Sequence, residues 1–335
     1  MKVLRLHGTG DLRLHTEPDP VPGPGESLLR VTAVGLCGSD VHWFSEGSIG
    51  DARLERPLVL GHEFTAVVEN GDHSGERVAI DPAIPCGVCE RCLEGNPNLC
   101  PAVRFAGHST MDGGLRERMT WPTHYLHRLP DSLTDVEGVM LEPLGVAIHA
   151  VDLGHLRSGM KVAVFGCGPI GLLTLQVAEA AGATRLFATD VLPHRLEAAG
   201  SLGATSTIRA DGGREAAEIL AATSGRGVDV SFEAAGANEA VEAAIAATRP
   251  GGKVVLIGIP GDDRTTFTAS TARRKGLTIK LVRRMKLVYP RAIELVETGR
   301  VKVHSLVTHR FPLEEAERAF SVASKRDGVK VVIEP

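Results

Sequence analysis

Four cysteines fall as Cys86-x2-Cys89-x2-Cys92-x7-Cys100, and a fifth, Cys37, precedes a Gly61-His62-Glu63 triplet. Thiols this close on one loop can converge on a tetrahedral zinc with no helix or strand between them. Four of them close the coordination shell, so an ion there braces a loop and performs no chemistry. Cys37, His62 and Glu63 offer three mixed donors (S, N and O), which on a borderline-soft ion leave a fourth position for water or substrate. Read singly, Cys37 suits a small buried hydrophobe, and Gly-His-Glu suits a turn with a surface carboxylate. Beside the thiol lobe, a second metal centre is the stronger reading. Glu142, in Leu141-Glu142-Pro143-Leu144, is a further carboxylate that alone reads as a helix-start acid beside proline.

A second chemistry is written downstream. Gly166-Cys167-Gly168-Pro169-Ile170-Gly171 follows the apolar run Lys161 to Phe165 and opens a helical stretch. In that context the glycines let backbone approach a pyrophosphate, whose charge meets a helix N-terminus. Asp190 ends the next strand-like run, where its carboxylate suits two adenosine ribose hydroxyls and repels a 2′-phosphate, favouring NAD over NADP. The competing reading of Asp190 is a plain strand-end turn residue. Ser39 and His42 flank Cys37. A hydroxyl beside a metal and an imidazole three positions on make a candidate proton wire, the alternative being that His42 is a surface or packed histidine.

The elements that must hold these residues change character along the chain. The first part is strand-rich, with runs such as Ser27 to Val34 and Phe64 to Glu69 between Pro/Gly turn clusters. From about Leu156, strands at Lys161–Phe165, Arg185–Asp190, Val228–Phe232 and Lys253–Gly258 alternate with helices at 170–180, 194–202 and 238–247. Such alternation predicts a parallel, doubly wound sheet. Thr278–Val282, helices at 289–298 and 313–323, and a final strand over 328–333 follow, and this last part is expected to return to the first domain. At 335 residues, two domains are expected, each with its own core. A net charge of -4 without a basic stripe gives no reason to expect nucleic acid. No run reaches the ~18 apolar residues of a membrane span. The start lacks the apolar stretch of a signal peptide, and five cysteines suited to metal as thiolates point to a reducing cytoplasm.

Taken together, these segments resemble the zinc-dependent medium-chain dehydrogenases, in the sorbitol (polyol) dehydrogenase branch. The resemblance covers essentially the whole chain. It is carried by Cys37-Gly38-Ser39-Asp40-Val41-His42, Pro57 to Glu63, the four-cysteine lobe, Leu141 to Leu144, the glycine turn and Leu306 to Leu313. It implies an α/β protein: a GroES-like β-rich catalytic domain (1–150 and 284–335, with the zinc lobe at 86–100) and an inserted Rossmann domain (151–283).

The resemblance further implies two zinc ions per chain. Cys37, His62 and Glu63 would hold the catalytic one, with Glu142 a near or alternating ligand, and Cys86, Cys89, Cys92 and Cys100 the structural one. Ser39 and His42 match the branch's proton relay. Gly166, Gly168, Pro169, Ile170, Gly171, Asp190, Arg195, Ile257, Val282 and Arg283 are expected at NAD, and Trp43, Phe105, Glu142 and Arg283 at substrate.

The implied reaction oxidises a secondary alcohol of a polyol or sugar-like substrate to a ketone, with hydride passing to NAD; the alternatives are a sugar acid (idonate-type) or a threonine-type amino alcohol. A homo-oligomer, dimer or tetramer, is expected, with no nucleic-acid or membrane partner. Two departures stand out: Trp43 where the branch often has Tyr, and Arg283-Arg284 where it has Arg-Tyr. Arg284 reads either as a cation for a sugar carboxylate or phosphate, or as a solvent or subunit contact.

Overall fold

The computed structural model describes residues 1–335. The chain forms two compact units, Met1–Glu142 with Tyr289–Glu297 and Val303–Pro335, and Pro143–Val288 with Thr298–Lys302.

In the first unit a mostly antiparallel sheet runs in the order Leu126–Arg128, Arg77–Ile80, Glu63–Val68, Glu26–Gly35, Lys330–Glu334 and Val307–Pro312, and Arg118–Pro122 also pairs with Glu26–Gly35. The Glu26–Gly35 strand alternates: Ser27, Leu29, Val31 and Ala33 are buried, while Leu28, Arg30 and Thr32 are half-buried or exposed. That period of two lays one face on a core containing Phe64, Trp121, Met119 and Phe320. The register matters for the chemistry, because Gly35 pairs with Glu63 on one side and with Val332 on the other. Three distant stretches of chain therefore meet where the strand ends at Gly35, two residues before Cys37.

The second unit is a six-stranded sheet in the order Ser206–Arg209, Arg185–Asp190, Lys161–Phe165, Val228–Glu233, Thr248–Leu256 and Thr278–Leu281, all parallel. Val228–Glu233 is buried along its whole length, as a strand covered by helices on both faces must be. The strand order reverses between Lys161–Phe165 and Val228–Glu233, the switch point of a doubly wound sheet. No helix is long and apolar enough to cross a membrane.

Several details differ from the sequence reading. The strand Ser206–Arg209 and the helix Arg214–Ala222 were not anticipated. The expected strand over 253–258 begins at Thr248, running through the Pro250-Gly251-Gly252 segment that reads as a turn. The compact units divide at Glu142/Pro143 and Val288/Tyr289, not at 150/151 and 283/284. Residue 150 lies within the helix Leu141–Gly154, which has no turn at that point. Thr298–Lys302 joins the second unit because Gln176 clips it: Lys302 N–H donates to Gln176 Oε1 at 2.7 Å, and Gln176 Nε2 donates to the Lys302 carbonyl at 3.2 Å.

Candidate active site

Cys37 sits immediately before the helix Gly38–Glu46. Its amide donates to Asp40 Oδ2 at 2.9 Å, and the Gly61 amide donates to Asp40 Oδ1 at 3.1 Å. Fully buried Asp40 thereby ties the Cys37 turn to the segment carrying His62. Its Oδ1 also stands 3.6 Å from His62 Nδ1, which leaves Nε2 for other partners. The donor atoms of Cys37, His62 and Glu63 all lie within 4.8 Å of one another. Burial works against a charged imidazole at His62, but Asp40 and Cys37 together outweigh it and hold the pKa well above the ordinary value. A metal-ligating histidine is commonly oriented in this way by a carboxylate on its far nitrogen.

Glu63 is 1% exposed and has a buried partner, since Lys330 Nζ donates to its Oε1 at 2.8 Å and to its Oε2 at 2.5 Å. Lys330 Nζ donates as well to the Leu36 carbonyl at 3.1 Å. Desolvation opposes the lysine's charge, yet Glu63 and Cys37 keep its pKa above the usual value. Gly35 makes room for this arrangement, because a Cβ there would collide with the Glu63 carboxylate. Glu142, 5% exposed, is electrostatically linked to His62 and Glu63, and burial pushes its pKa up to about 7. Phe105 lies against the His62 ring, centroids 5.2 Å apart.

The thiol lobe is a separate construction. Its four sulfurs also lie within 4.8 Å of one another. Amides of the loop turn onto them: Cys86 N–H donates to Cys100 Sγ at 3.3 Å and Cys89 N–H to Cys86 Sγ at 3.4 Å. The amides of Val88 and Cys89 draw the Cys86 thiol down to about 6, while desolvation and the Cys89 thiol push Cys92 up to about 12. Four thiolates at this spacing need a cation between them, and the donor set suits zinc.

In the second unit the glycine turn links the strand Lys161–Phe165 to the helix Pro169–Ala180. A Cβ on Gly171 would strike the Gly166 carbonyl, so helix and turn approach closely. Asp190 Oδ2 accepts the Cys167 amide at 2.7 Å and its Oδ1 accepts the Leu192 amide at 2.9 Å. Each oxygen keeps a further lone pair for a ribose hydroxyl. Arg195 Nη1 stands 3.5 Å from where a Cβ on Gly168 would be. Gly168, Pro169, Ile170, Ile257 and Val282 are partly exposed around the carboxyl ends of the strands, and Arg283 is exposed. Cys167 is buried, and desolvation raises its thiol to about 12, as an inert packing residue requires.

The two halves of the chain match known protein domains. Residues 23–131 match the alcohol dehydrogenase GroES-like domain, and residues 169–298 match the zinc-binding dehydrogenase domain. Sorbitol dehydrogenase of Homo sapiens is 40% identical over 98% of this chain and 94% of its own. The chain belongs to the zinc-dependent medium-chain dehydrogenases. Among solved structures, L-idonate 5-dehydrogenase of Escherichia coli matches with a TM-score of 0.91 at 28% identity, covering 100% of this chain and 98% of that one. An Escherichia coli CFT073 alcohol dehydrogenase complexed with NADH also matches with a TM-score of 0.91 at 28% identity, over 100% and 99% of the two chains.

For this dehydrogenase one expected site residue is corrected. Trp43, expected against substrate, is 1% exposed and packed in the first unit's core, edge-on to His108 at 5.6 Å. It lies one helical turn past Ser39, on the buried side of the helix. Ser39 Oγ stands 3.5 Å from His62 Nε2, whereas His42 Nδ1 meets Glu46 Oε1 at 2.8 Å. Asp40 and Lys330 were not anticipated as parts of the site. Asp40 had a local signal, an acid three residues after the helix-capping position. Lys330 had none, being 267 residues from Glu63.

Proposed function

We propose that this dehydrogenase oxidises a secondary alcohol of a polyol or sugar-like substrate to a ketone, passing hydride to NAD. The observation that carries the reading is the contrast in donor number: Cys37, His62 and Glu63 make a buried set of three, beside a lobe of four. Zinc held by Cys37, His62 and Glu63, with Glu142 as a near or alternating ligand, supplies Lewis acidity toward a hydroxyl oxygen. The remaining work belongs to the protein. Asp40 fixes the His62 ring, and Lys330 balances Glu63 so that two anionic donors can share a buried pocket. Phe105 covers one side of His62 and excludes water there. Ser39 lies beside His62, and His42 follows one turn later on the same helix, half-exposed and paired with Glu46. That order suits the passage of a proton from the pocket to solvent. Asp190 takes the adenosine ribose, and Arg195 lies over the turn toward the adenosine end.

A sugar acid is the second reading. It is favoured by the likeness to an idonate dehydrogenase and by the paired cations Arg283 and Arg284. An NADH-formation screen of the zinc-loaded protein over polyols, aldonates and amino alcohols separates the readings. Turnover confined to polyols supports the first, turnover confined to aldonates supports the second, and no turnover on any alcohol sinks both. Asp190→Ala is expected to erode the preference for NAD over NADP, and an unaltered ratio of the two efficiencies would refute the ribose role.

We further read the chain as a cytoplasmic homo-oligomer, dimer or tetramer. The reading is supported by six free cysteines and by the edge strand Thr278–Leu281, where Leu281 is 75% exposed. Size-exclusion chromatography with light scattering tests the assembly, and a monomer would overturn it.

A further inference from the structure

The Val228–Glu233 strand ends on a carboxylate that the reaction described above does not use. Glu233 is 1% exposed. Its Oε1 accepts the amides of Ala235 and Gly236, each at 2.7 Å, and the amides of Ala237 and Gly258 also face the carboxylate. Its own carbonyl accepts the amides of Ile257 at 2.8 Å and Gly258 at 3.1 Å. One residue thus holds both the loop after its own strand and the loop after the neighbouring strand Thr248–Leu256, where it pairs with Leu256. On the other side the Ala234 amide donates to the Phe165 carbonyl at 2.8 Å. A Cβ on Gly166 would come within 2.8 Å of the Ala235 nitrogen, so this backbone lies directly against the glycine turn.

These three loops leave the carboxyl ends of adjacent strands where the strand order reverses, the crevice in which doubly wound sheets take their ligands. Asp190 marks the adenosine side of that crevice. With a pyrophosphate over the glycine turn, the nicotinamide half runs along the opposite side, over the loops that Glu233 holds. Burying a carboxylate is unfavourable unless it is well hydrogen-bonded. Here the bonds come from backbone amides of an irregular segment, so what the carboxylate contributes is the shape of that segment. Desolvation raises its pKa, and the surrounding amides oppose the rise by favouring the charged form.

We propose that Glu233 is a positioning residue for the cofactor, presetting the Ala234–Ala237 and Ile257–Ile259 loops for the nicotinamide half without touching it. The proposal rests on the reading of this crevice as a nicotinamide-dinucleotide site. In Glu233→Gln one oxygen becomes an amide group that cannot accept, so one edge of the side chain faces donors with a donor. The dissociation constant for NADH, read by fluorescence titration, and the KM for NAD are both expected to rise at least about ten-fold, with KM for the alcohol and zinc per chain changed less than about two-fold. NADH affinity equal to the parent's, or an equal rise in both KM values, overturns the proposal. Hydrogen exchange on the unaltered protein provides a test that does not need the variant to fold. The amides of residues 235–237 and 258 are expected to exchange slowly before NADH is added and no more slowly after, and fast exchange without NADH overturns the preset. Failure of the unaltered protein to bind NADH at all overturns the nicotinamide reading itself.

Discussion

The Cys86–Cys100 lobe takes its four sulfurs from one short stretch of chain, Cys92 lying in the one-turn helix Glu90–Leu93, whereas Cys37, His62 and Glu63 come from a helix start and a strand start that sheet pairing brings together. The lobe is partly exposed and surrounded by its own backbone amides; the three-donor set is mostly buried and surrounded by charge. A closed set can be local because it need only gather ligands. An open set must keep a position free and fix the orientation of each donor, and for that it uses side chains from elsewhere: Asp40 on His62 and Lys330 on Glu63. The difference shows that stability and chemistry place different demands on the same kind of ion.

The largest expected effect comes from Cys37→Ser. Losing several kcal/mol of Lewis-acid stabilisation lowers kcat by on the order of 10³-fold or more, at ten-fold per 1.4 kcal/mol. NADH affinity stays near normal, and zinc content falls from two toward one per chain. Turnover within a few-fold of the parent would mean that the three-donor set is not the reactive one.

Lys330→Met sharpens the contrast by removing a partner that the lobe does not need. An uncompensated buried carboxylate destabilises by about 3–5 kcal/mol. The loss of melting temperature is expected to be larger in zinc-stripped than in zinc-loaded protein, because the metal supplies the missing positive charge. Equal losses in the two forms would separate Lys330 from the metal centre.

Cys89→Ser is expected to lower melting temperature and remove one zinc per chain while the folded fraction keeps its kcat. Two zincs per chain with native stability would overturn the division of labour between the two sets.

The smallest effect concerns the buried surroundings of the three-donor set. His127 stacks on Tyr289 at 4.3 Å, and Tyr289, whose hydroxyl donates to the Ile80 carbonyl, is electrostatically linked to Glu142 and Glu63. Burial depresses His127 from 6.5 to about 4. The unfolded chain therefore takes up this proton near pH 6.5 and the folded chain only near pH 4. Its contribution to stability is intact above pH 6.5 and is lost as pH falls through that window. His127→Phe is expected to flatten this part of an acid-unfolding profile followed by circular dichroism; an unchanged slope would remove His127 from the account.

Much of this was legible in sequence, and the reason differs from residue to residue. The strands Lys161–Phe165 and Arg185–Asp190 and the glycine turn between them follow from apolar runs and local spacing. The strand Ser206–Arg209 carries too few apolar residues to stand out in sequence, with only Ile208 buried. Within Thr248–Leu256, Gly251 and Gly252 imitate a turn, so the sequence signals a strand only from Lys253. The likeness of its neighbours points Trp43 at substrate, yet the helix turns its indole into the core.

By itself the sequence determined which atoms could hold metal and where a pyrophosphate could rest, because both depend on residue type and short spacing that local backbone geometry obeys. Tertiary structure alone decided which charges are answered. It set Lys330 against Glu63 and Glu233 against the amides of two loops, because pairings between segments far apart in the chain arise only when a sheet is assembled and water is driven from between them.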